Sequence, residues 1–181
     1  PARWKGHLDA LLPARSKVSK SKHFAALPWR DMKPFMAELR KQNGIGALAL
    51  QFTILTAARS GEVRGMEWYE VDFEQRLWTV PGERMKAGRE HRVPLSNAAV
   101  ELLAQLKAVK LADTETVFPS VRDHKPLSDM TLTAVLRRMQ RGDITVHGFR
   151  SSFRDWAAEA TEFPQEMAEM ALAHIVGNKV E

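Results

Sequence analysis

Two arginines, two histidines and a lysine in this 181-residue chain sit where core packing alone does not ask for cations. Arg59, in Thr56-Ala57-Ala58-Arg59-Ser60-Gly61-Glu62, follows a long apolar run at the junction where another helix begins. A guanidinium there needs partners, and Glu62, three residues on, is spaced to orient it. The same pair also fits a purely structural role, fastening two helices together. His147 and Arg150, in His147-Gly148-Phe149-Arg150, stand three apart at a helix start and so share a face. Backbone N–H groups and the helix dipole add to them, which suits a phosphate; a structural His beside a surface Arg is the alternative. His174 ends Leu172-Ala173-His174, on a helix otherwise apolar through Met167, Met170 and Ala171, where a satisfied core or cap histidine is the commoner occupant. Lys86 lies in the turn-rich stretch Gly82 to Glu90 with Arg84 and Arg89, and alone would read as a solvated side chain. Taken together, two Arg, two His and a Lys without a carboxylate pair suit the transition-state charge of a phosphodiester, with no metal required.

Other chemistries fit less well. His147 and His174 lack the two-His-plus-carboxylate spacing of a zinc hydrolase, and no acidic cluster points to paired magnesium ions. Neither a phosphate-binding glycine loop with its Lys-Ser/Thr nor a dinucleotide fingerprint is present. With no Cys in the chain, thiol nucleophiles, Cys-based zinc sites and disulfides are all excluded.

The elements that must position these groups follow from periodicity. A helix is predicted from Leu27 to about Gln42, with Met32, Phe35, Met36 and Leu39 on one face and Asn43-Gly44 ending it. A second, Ile45 to about Ala57, is apolar nearly all round and should be buried. Ser60 is expected to cap a short third helix, with Glu62 in its first turn. Period two then takes over in Val71-Asp72-Phe73, Leu77-Trp78-Thr79-Val80 and His91-Arg92-Val93-Pro94-Leu95, three short antiparallel strands. After Ser96, another cap candidate, helices return at about 97–110, 128–140, 147–160 and 164–173, with Pro164 in the first turn of the last. Phe149, Phe153 and Trp156 are expected to turn towards the core. The fold class is mainly α with a small three-stranded antiparallel β-sheet.

A hydrophobic fraction of 44% with 27% charged residues describes a globular chain with a core, not a disordered one. No apolar stretch approaches the roughly 18 residues of a membrane span, and the first ten residues carry no signal core. The net charge of +5 is unevenly placed. Residues 1–22 hold six Lys and Arg against Asp9 alone, while 23–181 hold 21 basic and 21 acidic side chains. The leading segment, ending Arg15-Ser16-Lys17-Val18-Ser19-Lys20-Ser21-Lys22, reads as a solvated tether or as an arm lying along a polyanion such as DNA.

The ordered set Arg59-Ser60-Gly61-Glu62, Lys86 in a hairpin, His147-Gly148-Phe149-Arg150 and Leu172-Ala173-His174 resembles the catalytic domain of the tyrosine recombinases. Within them it is similar to prophage and genomic-island integrases, which carry stretches like Val80-Pro81-Gly82-Glu83-Arg84-Met85-Lys86 and Arg92-Val93-Pro94-Leu95-Ser96. The resemblance runs from about Leu27 to Glu181. It implies the DNA breaking-rejoining fold over 23–181, with 1–22 as the tail of a preceding DNA-binding domain and its linker.

What the resemblance implies about mechanism can be written residue by residue. Arg59 and Arg150 would clamp the scissile phosphate, His147 and His174 would hydrogen-bond it and assist proton transfer, and Lys86 would protonate the departing 5′ oxygen. Glu62 would hold Arg59. Lys17, Lys20, Lys22, Arg84 and Arg89 would contact double-stranded DNA at attachment sites. No metal or other cofactor is implied. Partners would be DNA and further copies in a tetramer, with room for accessory DNA-bending proteins and no membrane, in a prokaryotic cytoplasm at the nucleoid. The family's nucleophilic tyrosine falls about ten residues past the position of His174, so it is expected just beyond Glu181. The one tyrosine present, Tyr69 in Trp68-Tyr69-Glu70-Val71, matches no nucleophile motif, and its expected role is packing or a sheet-edge hydrogen bond. The chain alone is then expected to form no covalent DNA adduct. A type IB topoisomerase and a catalytically silent DNA-binding module of the same fold are the alternatives.

Overall fold

In the computed structural model, which describes residues 24–109 and 114–174, the apolar run after Gly44 becomes helix α2, Ile45–Thr56. Ala47, Ala49, Leu50 and Phe52 have no solvent exposure. Each fully buried large apolar side chain contributes about 1.5–3 kcal/mol, so this helix is the natural centre of the fold. Around it pack α1 (Met32–Arg40), α3 (Ser60–Arg64), α4 (Asn97–Ala108) and α5 (Thr131–Arg138). The polar Thr53 is tolerated inside because its hydroxyl donates to the Ala49 carbonyl at 2.7 Å. Close approach to α5 requires Gly46, where a Cβ would stand 2.8 Å from the Thr131 methyl.

The sheet is antiparallel in the order β1 (Val71–Asp72), β2 (Leu77–Val80), β3 (His91–Pro94), with Val71 opposite Trp78 and Trp78 opposite Val93. Alternation puts Trp78 and Val80 fully inside. The Trp78 ring meets Phe52 of α2 edge-on at 5.5 Å, which ties sheet to helices. Ser96 caps α4 as expected, its Oγ accepting from the Ala99 N–H at 3.3 Å.

Helix α6 (Gly148–Ala160) packs Phe149 on Phe35 of α1 and is followed by α7 (Gln165–Ala171). Across the start of α6 runs the segment 24–27. Its Ala25 carbonyl accepts from Thr145 N–H at 2.9 Å, and its Leu27 carbonyl accepts from the Ser152 hydroxyl.

Several expectations are corrected. α1 begins only at Met32, after a 3-10 turn Trp29–Asp31, because Pro28 holds extended backbone (ψ 132°). Gly44 does not cap α1, whose C-cap is Lys41; it precedes α2 with φ 98°, a conformation open chiefly to glycine. Arg59, not Ser60, is the N-cap of α3. α5 starts at Thr131, not 128, and is closed by Gln140 at φ 58° with Arg141 N–H donating back to the Leu136 carbonyl. Pro164 is the N-cap of α7, one place before its first turn. Trp156 is 39% exposed instead of core, and on α7 only Ala168 is buried while Met167 and Met170 face outward. The basic arm with Lys17, Lys20 and Lys22 lies outside the described residues.

Candidate active site

Arg59 emerges where α2 gives way to α3. Ala57 takes the left-handed conformation (φ 50°), ending α2 and turning the chain so that Arg59 can cap α3. Glu62 holds it at both ends: one carboxylate oxygen accepts from the Arg59 backbone N–H and the other from its Nη1, each at 2.8 Å. The Glu62 side chain is only 4% exposed, so Arg59 is the counter-charge that makes its burial tolerable.

Arg150, on the first turn of α6, is buried and reaches across to two other elements. Nη1 donates to the Ala57 carbonyl at 2.6 Å; Nη2 donates to the Leu172 carbonyl at 2.5 Å and lies 3.1 Å from His174 Nε2. A guanidinium has five N–H groups. Three are spent on these contacts, so up to two remain for a ligand. The left-handed Ala173 (φ 50°) turns His174 back over α7, where Nδ1 meets Glu169 Oε2 at 2.5 Å. Glu169 Oε1 is in turn 3.1 Å from Arg154 Nε.

His147 is the N-cap of α6, with Phe24 against its ring at a centroid distance of 4.4 Å. Its pKa is lowered from the ordinary 6.5, first by desolvation and then by the charges of Arg150, Arg59 and His174. Arg150 is lowered to about 10, by burial first and then by Arg59, with Glu62 and Glu169 opposing. It remains a cation at neutral pH. These mutual influences mark one site: Arg59, His147, Arg150 and His174 converge at the N-terminus of α6. Glu62 and Glu169 are the counter-charges of this cluster. At the helix start the Gly148 and Arg150 N–H groups are already bonded to the Thr145 and His147 carbonyls.

Lys86 lies outside this cluster of direct contacts, exposed on the β2–β3 connection, and Arg89 is exposed there too. Arg84, expected on DNA, instead turns inward: Nη2 pairs with Glu70 at 2.5 Å and Nη1 reaches the Glu62 carbonyl at 3.4 Å. The reason is electrostatic. The Glu70 side chain is 1% exposed and needs a counter-charge. Burial pushes its carboxyl pKa up, while Trp78 Nε1–H at 2.9 Å and the Arg84 charge oppose that shift. Tyr69, beside it, is 71% exposed and is not packed as expected.

Sequence reasoning missed Glu169 and Glu70. Among the described residues no group of three or more His, Asp or Glu is placed to hold a metal ion, and no helix is long and apolar enough to cross a membrane.

Residues 27–180 match the phage integrase family model. The chain is 33% identical to the integrase of Enterobacteria phage P4 over 90% of its own length and 41% of that protein's. It is 36% identical to prophage integrase IntA of Escherichia coli (strain K12), over 70% of this chain and 31% of that one. It thus spans well under half the length of these curated relatives. Among solved structures, a lambda integrase dimer bound to a COC′ core site aligns over 99% of this chain and 66% of its own, with a TM-score of 0.67 at 21% identity. The Tn1549 transposon integrase in complex with a circular intermediate DNA aligns over 90% and 62%, with a TM-score of 0.71 at 12% identity. The helices and three-stranded sheet are therefore those of a tyrosine recombinase catalytic domain, and the chain belongs to the phage integrase family.

Proposed function

We propose that this chain is the catalytic domain of a site-specific DNA recombinase, which integrates or excises a prophage or genomic island by cutting and rejoining strands. The observation that carries the reading is the convergence of Arg59, His147, Arg150 and His174 on one anion site at the start of α6. Arg59 and Arg150 would bind the non-bridging oxygens of the scissile phosphate, and the two histidines would donate to the same group, His174 as an imidazolium whose Nε2–H exchanges Arg150 for the phosphate. A tyrosine Oη supplied from outside residues 1–181 would attack phosphorus and form a 3′-phosphotyrosine link. The P–O5′ bond would break with its electron pair on the 5′ oxygen, which takes a proton from the Lys86 ammonium. The phosphotyrosine conserves the ester for rejoining, so neither a metal nor a nucleotide is required.

Support for the partners comes from the relatives: the lambda integrase has been solved as a tetramer bound to a Holliday junction, and this chain shares its fold. We extend that to a tetramer on double-stranded attachment sites, with the basic segment 1–22, Lys17, Lys20 and Lys22 included, and Arg89 along the backbone. Acting on attachment sites in DNA, such a recombinase would work in the cytoplasm at the nucleoid.

The test is a nicked suicide substrate incubated with full-length protein and run on a denaturing gel. A covalent protein–DNA band is expected, unchanged by a chelator and by Tyr69→Phe, and absent with residues 1–181 alone. A band lost on chelation, or DNA attached through Tyr69, overturns the reading.

A further inference from the structure

The exposed Lys86 looks unsupported, yet its loop is anchored by a buried ion-pair network. Lys86 and Ala87 are the central residues of a turn closed by Gly88 N–H donating to the Met85 carbonyl at 2.9 Å. The limbs of that loop pinch together, since a Cβ on Gly82 would stand 2.9 Å from the Gly88 carbonyl oxygen. Met85, next to Lys86, is buried. Arg84 then fixes the base of the turn in two directions. Towards the sheet it pairs with Glu70, whose Oε2 also accepts from Trp78 Nε1 of β2. Towards α3 it donates to the carbonyl of Glu62, the residue that holds Arg59. Its guanidinium lies over the backbone of Gly65, where a Cβ would come within 3.0 Å of Nη1.

We infer that Arg84, with Glu70 as its buried counter-charge, is the positioning residue that sets the Lys86 turn at a fixed height against the Arg59–Glu62 junction. This rests on the reading of Lys86 as the general acid. The path is continuous: Lys86 turn, Arg84, Glu62, Arg59. One guanidinium thus ties the proton donor's loop to the phosphate clamp. The turn carries no other charged anchor of this kind among the described residues, because Arg89 and Lys86 itself are exposed.

The chemistry of the leaving group gives a test that a merely structural role would not pass. In a substrate whose 5′ bridging oxygen is replaced by sulfur, the P–S bond breaks to a thiolate, which departs unprotonated and needs no general acid. Single-turnover cleavage is measured for full-length protein and for Lys86→Ala, Arg84→Gln and Glu70→Gln on oxygen-linked and sulfur-linked DNA. All three variants are expected to be at least about tenfold slow on the oxygen substrate and within about threefold of the parent on sulfur. Arg84→Lys, with one charge but no fork, should fall between. If Arg84→Gln and Glu70→Gln are slow on both substrates while Lys86→Ala is rescued, the pair supports the fold or Arg59 instead, and the inference is overturned alone. If they are fast on both, it is likewise overturned. If Lys86→Ala is slow on both, the general-acid reading falls and takes the inference with it. Glu70→Gln keeps an acceptor for Trp78, so it answers the question even where Arg84→Gln fails to fold.

Discussion

Glu169 Oε2 lies 2.5 Å from His174 Nδ1, on the opposite side of the ring from Arg150 Nη2, which lies 3.1 Å from Nε2. A guanidinium can only donate, so Nε2 accepts from it and the proton sits on Nδ1, donated to Glu169. The carboxylate therefore selects both the tautomer and the ring orientation. Losing a charged hydrogen bond costs about 1.5–3 kcal/mol, roughly ten- to a hundredfold in rate if it is lost in the transition state. Glu169→Ala is expected to slow strand cleavage by about that factor, while Glu169→Gln, whose amide oxygen can still accept, retains most of the rate. Arg154→Ala should matter less, since that arginine is 54% exposed and its pair with Glu169 is screened by solvent. Single-turnover cleavage of a nicked substrate decides it; full speed in Glu169→Ala would remove Glu169 from the site.

His147 yields a prediction in pH. Desolvation, with Phe24 against its ring, and the charges of Arg150 and Arg59, joined by His174 when it is protonated, favour the neutral imidazole in the fold. The unfolded chain, near the ordinary 6.5, then binds more protons than the folded one between the two pKa values. The sign follows: this stabilisation is complete above pH 6.5 and is lost as pH falls from there towards the folded value. His147→Gln should flatten that part of the stability curve. A phosphodiester bound among the same cations offsets their repulsion, so DNA should raise the His147 pKa and binding should take up protons. The His147 ring resonance followed by NMR titration checks both; a midpoint at or above 6.5 in the free protein would count against the assignment.

Short-range spacing carried much of what the sequence disclosed. Arg59 and Glu62 are three apart at a helix start, and the apolar run before them had to be buried, so their pairing was legible. The alternating strands were legible for the same local reason. Arg150 to the Ala57 carbonyl spans 93 residues, and no periodicity encodes it. Glu169 stands five before His174, off the usual three-or-four spacing of a helix face. The two meet only because the left-handed Ala173 folds His174 back, its N–H donating to the Glu169 carbonyl at 2.9 Å. Nothing in local spacing marks Glu70 for burial, because it is sheet pairing that sets Trp78 over it, and with that burial unseen Arg84 points to DNA and not to its buried partner. Trp156 was assigned to the core on aromaticity, whereas the buried face of α6 runs through Phe149, Ser152 and Ala157.

Segment 24–27 lies against the start of α6 and so beside His147. Gly148 opens α6 beneath residues 24–27, and a Cβ there would stand 2.1 Å from the Ala25 carbonyl oxygen and 2.9 Å from the Ala26 Cα. Those are backbone atoms, so relief requires moving the segment and breaking the two Thr145 hydrogen bonds to Ala25. Against this, alanine gains about 1 kcal/mol over glycine inside a helix and less at its first position. Overpacking costs about 1–3 kcal/mol, so the clash wins. Gly148→Ala should lower the melting temperature and release Phe24 from His147, bringing the His147 pKa back towards its ordinary value. Gly142→Ala is the matched control, with nothing within 4 Å of the added Cβ, and should be neutral. Thermal denaturation of both variants, with the His147 titration repeated on each, reads the two effects separately. Equal melting temperatures would mean that segment 24–27 does not press on α6, and an unshifted His147 would mean that Phe24 does not set its proton affinity.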